Sequence, residues 1–110
     1  MRYNDKVFTK ISKKVLDGET RSALSDRPAE IIHHMERRLT RPDLILEASN
    51  LIPLSAEEHD AVHRGEIILE EKDGVVFCTD KRWKREVRLR LYLSDFRDKW
   101  NKTKGAVLRG

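Results

Sequence analysis

All four histidines of this 110-residue chain lie in two short segments. His33 and His34 are adjacent in AEIIHHMERR, whereas His59 and His63 are four residues apart in NLIPLSAEEHDAVHRG. On a helix, residues four apart project from one face with Cβ atoms roughly 5–6 Å apart, so two imidazoles can bind one metal ion. On a strand, adjacent side chains point to opposite faces, so one of His33 and His34 is expected to join that pair. Each pair alone is more often an ordinary surface feature, and the inference depends on their combination.

Two short strands are predicted to carry the first histidine pair. The β-branched Ile31 and Ile32 predict a strand that begins after Pro28. Residues 36–49 predict a long loop, and loops of this length are usually functional. The run NLIPL then predicts a second strand, in which Pro53 indicates an edge or an irregular end.

The second histidine pair follows a clear helix start. Ser55 and Glu58 match the capping-box pattern Ser-x-x-Glu, and Gly65 is a natural helix stop. A helix of about ten residues is marginal by itself, so it needs further support, which a bound metal ion would supply.

The rest of the chain predicts further elements. Apolar residues four apart (Val7, Ile11 and Val15) predict a short N-terminal helix. The turn Lys72-Asp73-Gly74 predicts a β-hairpin. VRLRLYL, at 87–93, alternates like a strand, but length and charge favour a helix over about 81–103. The large apolar residues expected in the core are Val75, Phe77, Trp83, Phe96 and Trp100, with stacking on nucleic-acid bases as the alternative for the tryptophans.

The composition restricts the class of protein. A chain of this length predicts one domain, no apolar run approaches the length of a membrane span, and the N-terminal residues lack the apolar stretch of a signal peptide. The single cysteine, Cys78, excludes an internal disulfide and a zinc site of paired cysteines. These features predict a cytoplasmic protein without a membrane partner.

Positive charge is concentrated towards the C-terminus. Residues 64–110 carry 13 Lys and Arg against 8 Asp and Glu, whereas residues 1–63 carry 10 against 11. Residues 81–104 alone hold ten bases and three acids. Such a segment is typical of a polyanion-binding surface, although charge alone fits a solvated face equally well.

The histidine segments resemble the HNH endonuclease family, in which a histidine, an asparagine and a histidine lie on a strand, a second strand and a helix. His34, Asn50 and His59 occupy these three places, and His63 follows one helical turn later. The resemblance covers about a third of the chain. It implies a small α+β domain over residues 1–110, with a ββα-metal core at about 29–65, an additional hairpin and a basic C-terminal helix within about 81–104.

The resemblance also implies roles for individual residues. His33, His59 and His63 would bind one divalent cation, and His34 would be the general base that activates water. Asn50 would tie the loop to the strands and keep the base oriented. Cys-x-x-Cys pairs that hold a structural zinc in many members are absent, because Ser55 and Glu58 lie where one pair would fall, so one catalytic metal and no structural zinc are expected.

The expected cofactor is Mn, Zn, Ni or Mg. Three neutral imidazoles favour a transition ion over magnesium, which prefers oxygen ligands. The candidate phosphate-binding residues are basic residues beside the motif and at the start of the basic segment: Arg37, Arg38, Arg64, Lys81, Arg82, Lys84 and Arg85. For the three arginines beside the motif, an ordinary solvated side chain is an equally good interpretation.

The predicted function is therefore a metal-dependent endonuclease that hydrolyses DNA phosphodiester bonds, nicking with low sequence specificity. The main alternative is a non-catalytic nucleic-acid-binding module with a structural metal, and a more remote one is a protein-interaction domain. The target sequence, the biological role and the choice between monomer and homodimer are left open.

Overall fold

The two histidine segments form a strand pair followed by a helix. The computed structural model describes residues 3–37 and 39–110, where strand β1 (Ile31–His34) pairs antiparallel with β2 (Leu51–Leu54). His33 lies opposite Ile52 and His34 opposite Leu51. The intervening loop contains two short 3-10 turns, Pro42–Leu44 and Ala48–Asn50. Both predicted strands and the long loop are confirmed.

Helix α2 (Ala56–His63) begins and ends where the sequence predicts. The Ser55 side chain accepts a hydrogen bond from the Glu58 amide, and the Glu58 carboxylate accepts one from the Ser55 amide. This capping box satisfies amides that a helix start leaves without intrahelical partners. Gly65 follows with a φ of +78°, a conformation that favours glycine at the end of a helix.

The second sheet has three antiparallel strands in the order β3 (Ile67–Lys72), β4 (Val75–Asp80) and β5 (Val87–Leu91). The predicted hairpin is confirmed as β3 and β4. Asp73 and Gly74 both have positive φ, as a two-residue hairpin turn of type I′ requires.

The predicted helix over about 81–103 is wrong in its first half. Residues 87–91 form β5, and helix α3 runs over Ser94–Arg109. Pairing with β4 explains the difference, because it places Leu91 in the core opposite Val76, whereas Leu89 lies opposite Cys78 and stays exposed. Strand alternation thus determines the structure of this segment, and the apparent helical face from Leu89 to Trp100 does not exist.

Helices α1 (Tyr3–Asp17) and α3 pack against each other. The predicted N-terminal helix is confirmed, with Ile11 and Val15 fully buried. Trp100 of α3 is also fully buried, and its Nε1 donates a hydrogen bond of 3.0 Å to the Leu46 carbonyl. This bond connects α3 to the long loop between β1 and β2.

Two apolar clusters meet at β2, where every residue is buried. Leu51 packs in the cluster with α1 and α3, whereas Ile52 and Leu54 pack in the cluster with α2 and the three-stranded sheet. The described residues thus form a small compact α+β domain with three helices and two antiparallel sheets. No helix among them is long and apolar enough to cross a membrane.

The predicted core residues divide into three groups. Phe96 and Trp100 are buried as expected, and Val75 and Phe77 are half-buried. Trp83 is 64% exposed, so its assignment to the core is wrong. It lies in the irregular segment between β4 and β5.

The two tryptophans are expected to differ sharply in their contribution to stability. Trp100→Ala should lower the free energy of unfolding by about 3–5 kcal/mol, because it leaves a large cavity. Trp83→Ala should lower it by less than about 1 kcal/mol, as is usual for an exposed side chain. Urea denaturation of both variants measures the difference, and equal losses would contradict the placement of Trp83.

Candidate metal and catalytic site

Three imidazoles lie together where β1 faces α2. The ring centroids of His59 and His63 are 4.4 Å apart, and their Nε2 atoms are 3.2 Å apart. The His33 ring centroid lies 5.4 Å from that of His59 and 6.3 Å from that of His63. The predicted division of β1 is therefore present: His33 lies with the helix pair, and His34 does not.

The spacing of the three rings is close to that of ligands around one metal ion. Two nitrogens bound to one tetrahedral zinc ion are about 3.3 Å apart, and the ring centroids of such ligands are roughly 5 Å apart. The His59 and His63 nitrogens meet that spacing, and the three centroid distances scatter around it. Among the residues described, however, no group of three or more His, Cys, Asp or Glu side chains is already arranged to hold a metal ion. The fit is therefore partial: one nitrogen pair has ligand spacing, and a third imidazole lies beside it.

The surroundings favour the neutral form of His33 and His59. Burial, together with the nearby His59, His63 and His34, lowers the pKa of His33 to about 4. Burial followed by the charge of His63 lowers the pKa of His59 as well, against the opposing effect of Asp60. Neutral imidazole is the form that binds metal ions, so both rings carry ligand lone pairs at neutral pH.

His34 is held on the other side of β1. Its Nε2 lies 3.1 Å from the carbonyl oxygen of Ile45, and its ring packs against Phe8 with centroids 4.5 Å apart. A carbonyl only accepts hydrogen bonds, so Nε2 of a neutral His34 ring carries the proton. The lone pair of that tautomer is then on Nδ1, the nitrogen that would accept a proton from water.

Asn50 connects the two ends of the long loop. Its Oδ1 accepts a hydrogen bond of 2.8 Å from the Glu36 amide, and its Nδ2 lies 3.3 Å from the carbonyl oxygens of Glu36 and Leu44. The side chain is 5% exposed. Leu44 directly precedes Ile45, so these bonds fix the segment that supplies the acceptor for His34.

The buried Glu58 carboxylate anchors the start of α2 to the loop before β1. It accepts hydrogen bonds from the hydroxyls of Ser22 and Ser25, as well as from the Ser55 amide. Burial alone would raise its pKa, but the hydrogen bonds from Ser22, Ser55 and Ser25 lower the pKa below the usual value. The sequence indicates the cap but gives no sign of the two distant serines.

All four histidines line one open cleft of about 1110 Å³. Its opposite wall comes from α1, which contributes Thr9, Ser12 and Lys13. The Ser12 hydroxyl is buried and has no hydrogen-bond partner in the structure. No sequence pattern indicates these residues, because only the fold brings α1 beside the histidine strand.

The predicted phosphate-binding residues do not lie together in the structure. Arg37 lines the cleft, and Arg38 lies outside the described residues. Arg64 forms an ion pair with Glu66, and Arg82 forms one of 2.8 Å with Asp80. The remaining three, Lys81, Lys84 and Arg85, are exposed between β4 and β5 and do not line the cleft.

Comparison with known proteins adds no relative: no protein-family model matches this chain, and neither a curated protein nor a solved structure is detectably similar to it. The functional argument therefore depends on the geometry of the site.

Removal of the His33 imidazole should make the metal-free protein less sensitive to acid. The pKa falls from 6.5 to about 4 on folding, so the unfolded state takes up the proton first as the pH falls. The contribution is complete above about pH 6.5 and is lost towards about pH 4. Urea denaturation with a chelator should show stability falling over this window in the wild type and falling less in His33→Gln. An equal fall of stability in both proteins would contradict the lowered pKa of His33 in the folded state.

Asn50→Ala should lower the free energy of unfolding by about 1–3 kcal/mol, because it leaves partly buried main-chain groups of the loop without the Asn50 side chain as a partner. Asn50→Asp keeps the acceptor for the Glu36 amide but loses the donor, and should lie between Ala and wild type. Ser49→Ala, at the exposed neighbouring position, is the control. A value for Asn50→Ala equal to that of the control, measured by urea denaturation, would contradict the role of Asn50 in closing the loop.

Proposed function

We propose that this protein is a metal-dependent endonuclease of the HNH type, with a ββα-metal core formed by β1, β2 and α2. The observation that carries the proposal is the division of β1: His33 faces His59 and His63, while its neighbour His34 faces the loop, and all four line one cleft. Phosphodiester hydrolysis needs a base for the water and positive charge for the phosphate. Separate placement of these two groups supports that reaction.

His34 is the proposed general base. Its Nε2–H donates to the Ile45 carbonyl, which orients the ring and assigns proton acceptance to Nδ1. Asn50 holds the loop that carries this carbonyl and is therefore a positioning residue. With a water molecule beside Nδ1, His34 takes the proton as the water oxygen attacks phosphorus. The bond from phosphorus to the leaving oxygen then breaks, and that oxygen takes up a proton from solvent.

His33, His59 and His63 are the proposed ligands of one divalent cation. A cation bound there would supply positive charge to a phosphate oxygen and to the leaving oxygen. Imidazole ligands favour manganese, zinc or nickel over magnesium. Lys13 and Arg37 line the same cleft and are suited to contact substrate phosphates.

Cleavage of supercoiled plasmid tests this proposal. The metal-stripped protein, resupplied separately with Mn, Mg, Zn or Ni, should nick the plasmid. His34→Ala should lower the rate at least about 100-fold, because the general base is lost, and it should keep its affinity for nickel in calorimetry. His59→Ala and His63→Ala should instead weaken nickel binding.

Lys102→Ala, at an exposed position of α3, controls for the effect of a substitution remote from the cleft and should cleave like the wild type. Loss of cleavage in an identically purified His34→Ala excludes a contaminating nuclease. Nicking that persists in His34→Ala would overturn the assignment of the base. Nucleic-acid binding without cleavage by any metal would overturn the endonuclease and favour a binding module with a structural metal.

A further inference from the structure

The three-stranded sheet has an open edge at β5. This strand pairs with β4 on one side, and no other described strand pairs with its outer side. Val87, Arg88, Leu89 and Arg90 are all exposed. Proteins commonly protect such an edge with charge. Within β5 both charged residues are arginines, and Glu86, directly before the strand, lies 4.0 Å from Lys81.

The basic residues at this edge are only partly neutralised. Among the described residues, no ion pair involves Lys84, Arg85 or Arg90. Arg88 lies 3.8 Å from Glu70, with both side chains more than half exposed. The segment therefore keeps several cations available to an anion in solution.

An exposed aromatic side chain lies near each end of the strand. Trp83 is 64% exposed and Tyr92 is 80% exposed. The Asp80 carboxylate accepts hydrogen bonds from Trp83 Nε1 and from Arg82, so it fixes the indole and neutralises that arginine. The Arg90 guanidinium carbon lies 5.2 Å from the centroid of the Tyr92 ring.

We propose that the β5 edge, defined here as residues 83–92, binds a single-stranded segment of nucleic acid. Exposed aromatic rings offer stacking surfaces to unpaired bases, and the basic side chains between them meet the phosphates. None of these residues lines the histidine cleft. The surface therefore holds the polymer outside the cleft. This inference rests on the proposed function and extends it by naming the form of the substrate, a single-stranded nucleic acid.

A second copy of the chain is a poorer occupant of the same edge. Antiparallel pairing of two β5 strands about Leu89 would place Arg88 of one copy directly opposite Arg90 of the other. Like charges opposite one another across a strand pair are destabilising. The charge that opposes this pairing is the charge that attracts a phosphate backbone.

The test is binding of a labelled oligothymidylate, measured by fluorescence anisotropy in a chelator so that no cleavage takes place. The wild type should bind it more tightly than a hairpin duplex of equal length. Trp83→Ala should weaken binding at least about fivefold. Arg88→Gln/Arg90→Gln should reduce the slope of log affinity against log salt by about 1.4, whereas Lys10→Gln/Lys102→Gln, the matched loss of two exposed charges, should change affinity less.

Tryptophan fluorescence supplies a readout specific for stacking. The chain has two tryptophans, and Trp100 is fully buried, so quenching by the oligonucleotide reports on Trp83. No quenching, preference for the duplex, or β5 variants that bind like the wild type would each overturn the proposal. A dimer that Leu89→Lys dissociates, detected by sedimentation, would assign the edge to a second copy. Failure of plasmid cleavage would not change these binding results, so the two proposals fail separately.

Discussion

The structure depends on strand β2 being buried on both faces. Leu51 packs towards α1 and α3, whereas Ile52 and Leu54 pack towards α2 and the three-stranded sheet. Because adjacent strand residues face opposite sides, a shift of one residue would exchange the two apolar sets and bury neither correctly. The register of β1 against β2 is thereby fixed, and with it the sides to which His33 and His34 belong. Core packing therefore determines which histidine joins the helix pair.

Two sets of hydrogen bonds from buried polar side chains, called clamps below, hold the ends of β2. Asn50 directly precedes the strand and binds main-chain groups of the long loop. The Ser55–Glu58 capping box directly follows it, and Glu58 also binds the serines of the preceding loop. A buried polar group without a partner is costly, so each clamp restricts the chain to the arrangement that satisfies it. One clamp positions the acceptor for His34, and the other positions the helix with His59 and His63.

The sequence predicts those features that local signals determine. The capping box, the Asp73-Gly74 turn and the four-residue spacing in α1 each satisfy a local requirement, and the structure has all three. The sequence of residues 87–93 fits both the alternation of a strand and the apolar spacing of a helix, and only pairing with β4 decides in favour of the strand. The exposure of Trp83 has the same origin, because it depends on where the sheet ends.

The candidate site, like the fold, could be predicted from the sequence only in part. Side-chain types and spacing indicated which histidines would come together. The acceptor for His34 is a main-chain carbonyl, which has no residue-type signature, and α1 reaches the cleft only through its packing on α3. Contacts of these kinds are determined by the tertiary structure, so neither has a pattern that a single sequence displays.

In the proposed nuclease, charge is distributed so that attraction of a polyanion and chemistry would occur at different places. The charged residues that line the cleft, among those described, balance: Lys13 and Arg37 against Asp17 and Glu30. Such a cleft has little attraction of its own for phosphate, and the proposed cation would supply positive charge only where the bond breaks. Capture of a nucleic acid then requires a basic surface elsewhere, and the β5 edge has that charge. The separation also keeps the cations of the β5 edge away from the three imidazoles, whose lone pairs must stay unprotonated to bind a metal ion.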